Sequence, residues 1–325
     1  MFNERDSEII GLYVMRMNKG MEHIAWIGTG VMGEPMAGHL MDAGCALTVY
    51  TRTKSKAQPL LDRGASWANS PAEAANGADA VFSMVGFPPD VEEVHLGPQG
   101  TLTAQRLPSV IVDMTTTRPS LSIRIFEAAK QKGVGSVDAP VSGSDLFARE
   151  GKLSIMVGGE TEHVESVMPL LQHMGATIVH QGAPGSGQHT KMVNQILIVS
   201  GMLGCCEGLL YASKAGLNPI DVIRSVGAGA AGSWLINNLG PRMVQRDFGA
   251  GFFVEHFVKD LGIALDEAAR LGLSLPGLAM GRQLYQAVMS HGHERSGIQA
   301  LLVALENLNN SKLKTPEKEE AREAE

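Results

Sequence analysis

Lys191, Asn194 and Gln195 bring one ammonium and two carboxamides to positions i, i+3 and i+4 of a stretch with an unbroken helical pattern. At that spacing the three side chains share one face of a helix and lie over the same spot. An ammonium stabilises a developing alkoxide by charge and can then give it a proton, so the trio suits proton transfer at a carbon that gains or loses hydride. Free lysine titrates near ~10.4 and is a poor base at neutral pH, so the role asks for burial or a neighbouring cation to lower that value. A surface lysine at a helix start is the plain alternative, but a cation there opposes the helix dipole.

The stretch that must position this face is GAPGSGQHTKMVNQILIVSGMLGCCEGLLYASKAG, residues 182–216. Gly182, Pro184, Gly185 and Gly187 punctuate its start, Gly216 ends it, and from Ile196 onward it is nearly all apolar. The pattern predicts a long helix over about 188–214, buried on most sides, with its polar first turns at the mouth of a cleft between domains. The most apolar run, 196–211, is short for a membrane span and contains Glu207.

Upstream the chain alternates between short strands and helices. HIAWI from His23 is a strand, Gly28-Thr29-Gly30-Val31-Met32-Gly33 a turn, then comes a helix through Asp42 and the strand ALTVY ending at Tyr50. This is a βαβ unit with a dinucleotide fingerprint in its first turn. Gly28 permits the tight turn, Gly30 lets backbone approach a pyrophosphate, and Gly33 lets the helix pack on the strand with its N-terminus toward the phosphates. A glycine turn that binds nothing is the alternative. After the second strand, where a carboxylate would take the ribose 2′-hydroxyl of NAD, stand Thr51, Arg52 and Thr53, followed by Lys54 and Lys56, with no acid. A guanidinium and two hydroxyls suit a 2′-phosphate, which favours NADP over NAD; a solvated basic turn would be indifferent to it.

Further strands are predicted over 78–85, 109–114, 135–140 and 153–159. Ligands bind beyond the carboxyl ends of such strands, which makes Met84, Val85 and Thr115 cofactor candidates or simply packing residues. Val141-Ser142-Gly143-Ser144-Asp145 offers a hydroxyl and glycine amides for an anion, though taken alone it reads as an ordinary turn. In the C-terminal part, helices are expected from Asp221, over 264–269 and over 278–290. Trp234, Phe248, Phe252, Phe253 and Phe257 read as core or subunit contact, and Arg242 and Arg246 either as partners of a second substrate carboxylate or as solvated helix residues.

Composition sets the outer limits. A chain of 325 residues is long for one core and predicts two domains. Its 44% hydrophobic and 19% charged residues are those of a soluble globular protein. A net charge of −7 without a basic block speaks against nucleic acid, and no membrane partner is expected. Cys45, Cys205 and Cys206 give neither a disulfide framework nor metal spacing, and His291 and His293 lack acidic company, so no metal is expected. The first residues lack the apolar segment of a signal peptide, so export is not expected, and the cytoplasm is the expected compartment. The expected division is a flexible extension over 1–21, a dinucleotide-binding domain over 22–182, a helical substrate and dimerisation domain over 183–310, and a charged tail over 311–325 that frays.

Taken together, GTGVMG at Gly28, TRT at Thr51, DAPVSG at Asp138, GSGQHTKMVNQ at Gly185 and FVKDLGIALDEA at Phe257 resemble the β-hydroxyacid dehydrogenases. That family includes 3-hydroxyisobutyrate dehydrogenases and tartronate semialdehyde reductases, with 6-phosphogluconate dehydrogenase as a distant relative. The likeness runs from about His23 to about Leu305. It implies an α/β fold, with an N-terminal Rossmann-like doubly wound sheet joined by a long helix to an all-helical C-terminal domain. It also implies hydride transfer between NADP or NAD and a small carboxylate-bearing 3-hydroxy acid or semialdehyde. Lys191 falls on the family's catalytic lysine and Asn194 on a substrate-holding asparagine. Ser142 and Gly143 fall on the carboxylate-binding segment, and Lys259 on a lysine that reaches the nicotinamide side. A homodimer or homotetramer is implied as well. Two departures, Ser144-Asp145-Leu146-Phe147 after the cradle and Gln195 in place of a second asparagine, alter the pocket wall. An imine reductase of related fold is a weaker reading because the lysine is typically replaced there, and a non-catalytic NADP-binding or scaffold protein is weaker because the lysine is kept.

Overall fold

The computed structural model describes residues 21–314, so the expectations for 1–20 and for 315–325 lie outside the described residues. The strands are β1 (His23–Ile27), β2 (Ala46–Tyr50), β3 (Ser66–Trp67), β4 (Ala80–Ser83), β5 (Val110–Asp113), β6 (Gly135–Asp138), β7 (Val141–Ser142), β8 (Leu153–Gly159) and β9 (Gly175–Gly182). β4, β5 and β6 are buried at every position, as strands covered on both faces must be. Side-chain alternation divides their contacts: Trp26, Phe82 and Val112 pack with Met36 and Leu40 of the helix Gly33–Asp42, while Ala25, Val81 and Ile111 pack with Val91 and Ile125 in a second cluster.

The order β3-β2-β1-β4-β5-β6 is parallel throughout. Because it reverses direction between β1 and β4, a crevice opens there at the carboxyl ends of the strands. Tyr50, Ile27, Ser83, Asp113 and Asp138 stand in register at that edge, so the loops that follow them leave from one line. β8 runs antiparallel to both β6 and β7 along one side and parallel to β9 along the other. β3, β7 and β9 are absent from the sequence reading. Two of them are only two residues long, and β9 is largely exposed, with neither alternation nor an apolar run.

The chain divides into two compact units at Lys191/Met192. In the second, the helices Pro219–Gly227, Gly240–Val244, Val254–Arg270, Pro276–Ser290 and Leu301–Leu308 follow the long helix Ser186–Lys214. By length and composition the long helix could cross a membrane, but half of its most apolar window is buried within the protein. It ends in a Schellman turn: Gly216 adopts φ +78°, Leu217 N–H donates to Ala212 O and Gly216 N–H to Ser213 O. Asn218 then caps the next helix by accepting Ile220 N–H at 2.9 Å. Val199, Met202, Phe257, Leu261 and Tyr285 fill this unit's core.

The helix expected at 264–269 is the end of one that begins at Val254, which puts Lys259 within it. Arg242 pairs with Asp247 at 2.8 Å, and Arg246 pairs with the buried carboxylate of Glu306. Both guanidiniums are thus engaged by carboxylates of the chain itself.

Candidate active site

The three glycines of the first turn are glycine for different reasons. Gly28 has φ +96°, and a Cβ there would overlap the Met84 carbonyl oxygen. A Cβ on Gly33 would overlap the carbonyl oxygen of Gly28. Those two satisfy the fold. Around Gly30 nothing lies within 4 Å of where a Cβ would stand, so its bare backbone answers no internal need and is open to a ligand. Trp26 Nε1–H donates to Gly28 O at 2.9 Å, and holding that carbonyl inward turns the Thr29 N–H the opposite way across the planar peptide. Thr29 Oγ1 is buried without a partner, and the helix Gly33–Asp42 starts without a side-chain cap. An unused hydroxyl, open backbone and an uncapped helix N-terminus fit a dinucleotide pyrophosphate. Val31 and Met32 complete the turn, Val31 exposed and Met32 half-buried.

Around this turn stand the other loops of the same edge. Met84 N–H donates to Ile27 O at 2.8 Å, and Val85 N–H donates to Thr115 Oγ1 at 2.9 Å. Thr115 is buried, and its hydroxyl fixes the Val85 loop. Thr51 is half-buried, while Arg52 and Thr53 are exposed. No acid follows β2 in sequence, yet the fold supplies one: Arg52 Nη1 lies 2.9 Å from Asp90 Oδ1 on the helix Pro88–Leu96.

Asp138, at the end of β6, builds the start of the long helix. Its Oδ1 accepts Gly185 N–H at 2.7 Å and its Oδ2 accepts Gln188 N–H at 2.9 Å. Gly187 must be glycine here, because a Cβ would collide with the Met156 carbonyl oxygen. The fully buried Gln188 side chain grips the loop after β5 at two points: Nε2 donates to Thr115 O at 2.8 Å, and Oε1 accepts Thr117 N–H at 2.9 Å. One helical turn on, Lys191 is 6% exposed and its Nζ donates to Val141 O at 2.8 Å. Val141 and Ser142 are held by antiparallel pairing to Ile155 and Ser154. Gly143, with φ +136°, closes the segment, and a Cβ there would stand 2.9 Å from Leu153 Cδ2. Lys191, Ser142 and Gly143 are thereby brought to one place in the first unit.

Asn194 and Lys259 belong to the second unit and are linked by two residues. Asn194 Nδ2 donates to Gln195 Oε1 at 2.7 Å, Gln195 Nε2 donates to Asp260 Oδ2 at 2.6 Å, and Asp260 Oδ1 lies 3.0 Å from Lys259 Nζ. Gln195 and Asp260 are buried. This row fixes the carboxamide of Asn194 and the ammonium of Lys259 through one shared carboxylate.

Behind the edge runs a buried polar chain. Ser83 Oγ donates to Asp113 Oδ1 at 2.8 Å and lies 3.0 Å from His95 Nε2, and His95 Nδ1 lies 2.9 Å from Thr101 Oγ1. Burial pushes the Asp113 carboxyl up to about 6, against the pull of the Ser83 and Thr115 hydrogen bonds. Burial brings the His95 imidazole down to about 4. Asp138 is also raised by burial, although the helix N–H groups it accepts favour its charged form.

Comparison with known proteins agrees with this geometry. Residues 23–182 match the NAD binding domain of 6-phosphogluconate dehydrogenase. Residues 185–305 match the NAD-binding domain of NADP-dependent 3-hydroxyisobutyrate dehydrogenase. A 3-hydroxyisobutyrate dehydrogenase-like protein of Arabidopsis thaliana is 52% identical over 88% of this chain and 86% of its own length. The 2-hydroxy-3-oxopropionate reductase of Escherichia coli is 38% identical over 89% of this chain and 99% of its own. Among solved structures, a 3-hydroxyisobutyrate dehydrogenase of Mycobacterium tuberculosis crystallised with L-serine superposes with a TM-score of 0.80 at 26% identity, covering 88% of this chain and 99% of that one. With a dinucleotide cradle, a buried lysine beside a hydroxyl and glycine segment, and relatives matched along nearly their whole length, the chain belongs to the β-hydroxyacid dehydrogenase family of NAD(P)-dependent oxidoreductases.

Proposed function

We propose that this protein interconverts a small 3-hydroxy acid and its semialdehyde, with NADP preferred over NAD and Lys191 as the general acid and base. The observation that carries the reading is the buried Lys191 ammonium on the carbonyl of Val141, next to Ser142 and Gly143. The nicotinamide supplies or accepts the hydride. Lys191 then gives the substrate oxygen its proton in reduction, or takes it in oxidation, and its charge favours the alkoxide between those states. Ser142 and the Gly143 backbone receive the substrate carboxylate, and Asn194 orients the substrate through a carboxamide already held by Gln195. Arg52, with Thr51 and Thr53, takes the 2′-phosphate.

Val193, Leu197 and Tyr211 are 56%, 67% and 76% exposed along the long helix, and with the open Gly204 and Gly208 they form an apolar, small-residue stripe. A second copy of the chain covering that stripe is in keeping with a homodimer or homotetramer. The enzymatic test is NADPH and NADH oxidation against a panel of small semialdehydes and keto acids, with Lys191→Ala as control. Lysine-dependent turnover supports the dehydrogenase reading. Cofactor binding with no turnover on any member of the panel would replace it with a binding protein.

A further inference from the structure

The pairing of Arg52 with Asp90 makes the adenosine end of the cofactor site a two-signed one. Asp90 is the fixed member: its Oδ2 accepts Phe87 N–H at 3.1 Å in the first turn of the helix Pro88–Leu96, and its side chain is 20% exposed. Arg52 is the loose member, with its side chain 77% exposed and Nη1 on Asp90 Oδ1. Arg52 comes from the loop after β2 and Asp90 from the helix after β4, the two strands that flank β1, whose carboxyl end carries the glycine turn. A ribose 2′-hydroxyl is a donor that the carboxylate can accept. A 2′-phosphate is a dianion that must share the guanidinium with that carboxylate and is repelled by it.

We propose that Asp90 is a specificity-determining residue that opposes Arg52, holding down the preference for NADP and keeping NAD usable. The proposal rests on the reading that Arg52 takes the 2′-phosphate. Neutralising Asp90 removes one negative charge from beside a doubly charged group in a water-exposed setting. At such separations and such a dielectric that is worth roughly three- to tenfold in affinity. Asn at this position retains an oxygen to accept Phe87 N–H, so the helix start survives.

The experiment is fluorescence titration of NADPH and NADH into the wild-type protein, Asp90→Asn, Arg52→Ala and the double variant. Asp90→Asn is expected to tighten NADPH by roughly three- to tenfold while NADH stays within about twofold or weakens. Arg52→Ala is expected to lower the NADPH-to-NADH affinity ratio, and the double variant to bind NADPH more tightly than Arg52→Ala alone, because the repulsion between Asp90 and the 2′-phosphate does not need Arg52. If Arg52→Ala leaves the ratio unchanged, the role of Arg52 fails and the proposal falls with it. If Arg52→Ala lowers the ratio but Asp90→Asn leaves it unchanged or lowers it, Arg52 stands and the Asp90 proposal is overturned. Asp90→Ser, measured in parallel with thermal melting of each variant, decides the question should Asp90→Asn prove unstable.

Discussion

The start of the long helix and the rim around Arg52 both carry charged side chains, but they hold them differently. At the helix start, Lys191, Gln188 and Asp138 are buried and tied to backbone groups of other elements. At the rim, one flexible guanidinium in water meets one carboxylate, an arrangement whose typical worth is about 0.2–1 kcal/mol. Buried and partnered groups cannot move without leaving an unpaired polar atom, at about 1–3 kcal/mol each. Under the proposed roles this difference divides the labour: the helix start would set whether chemistry occurs, and the rim would adjust which cofactor is used.

Lys191→Ala tests the buried side of that contrast and carries the largest expected effect. Turnover should fall by about 10²- to 10⁴-fold, the span general acid and base groups supply, while NADPH affinity measured by titration stays within about twofold. Normal turnover in this variant would remove Lys191 from the chemistry and leave the contrast without its active half.

Gln188→Leu comes next. It strips the partners from Thr115 O and Thr117 N–H, so a loss of about 2–4 kcal/mol in stability is expected, together with a lower kcat as the loop carrying Thr115 loosens. Gln188→Glu keeps the acceptor for Thr117 N–H but sets a second acceptor against Thr115 O beside the buried Asp138, so it should lose stability too, and more as pH rises. A Gln188→Leu protein that melts and turns over as wild type would show that the clamp holds nothing.

A smaller effect is expected at Trp26, which fixes the peptide between Gly28 and Thr29. Trp26→Phe keeps the stacking with Phe82, whose ring lies 5.8 Å away, but removes the donor to Gly28 O. NADH should bind several-fold more weakly, on the order of the ~1 kcal/mol of one hydrogen bond. Nicotinamide mononucleotide, which has no pyrophosphate, should be used as well as by wild type. Equal losses for both ligands would mean that Trp26 supports the fold in general and not the phosphate turn.

These residues also show what could be read in the chain before its structure. The Gly28–Gly33 turn and the face carrying Lys191 are local patterns, in which spacing along one element already implies the geometry. Gln188 carried a usable signal, since it stands three residues before Lys191 on the same helical face. Asp90 and Asp260 carried none. Their partners lie 38 and 65 positions away, and only the strand order and helix packing bring them together. The same holds for Asp138, which stands 47 residues before the helix turn it caps. The antiparallel β8, with β7 beside it, orients Val141 and Ser142, a role that their own two residues could not announce. The parallel sheet was legible because its central strands are short buried runs at regular intervals. The polar groups that knit its edge to the helix were not, because a buried Asp or Gln looks in sequence like any other.

A last effect, on stability and not on turnover, concerns the buried chain of Asp113, Ser83 and His95. Folding raises the Asp113 carboxyl from about 3.8 to about 6, so the folded state binds that proton more tightly, and stability from this group declines as pH rises between those values. Folding lowers the His95 imidazole from 6.5 to about 4, so the folded state binds that proton less tightly, and stability from this group increases as pH rises through that window. Between about pH 4 and 6 the two slopes oppose and nearly cancel, which leaves wild-type stability close to flat in this respect. Asp113→Asn removes one slope and keeps the other. Its melting temperature should therefore climb more steeply than wild type from pH 4 to 6, and above pH 6 its stability relative to wild type should level off with a pH-dependent gain of up to about 3 kcal/mol. Parallel melting curves against pH for the two proteins would mean that Asp113 titrates alike folded and unfolded, and that the edge below the cofactor turn is wetter than its burial implies.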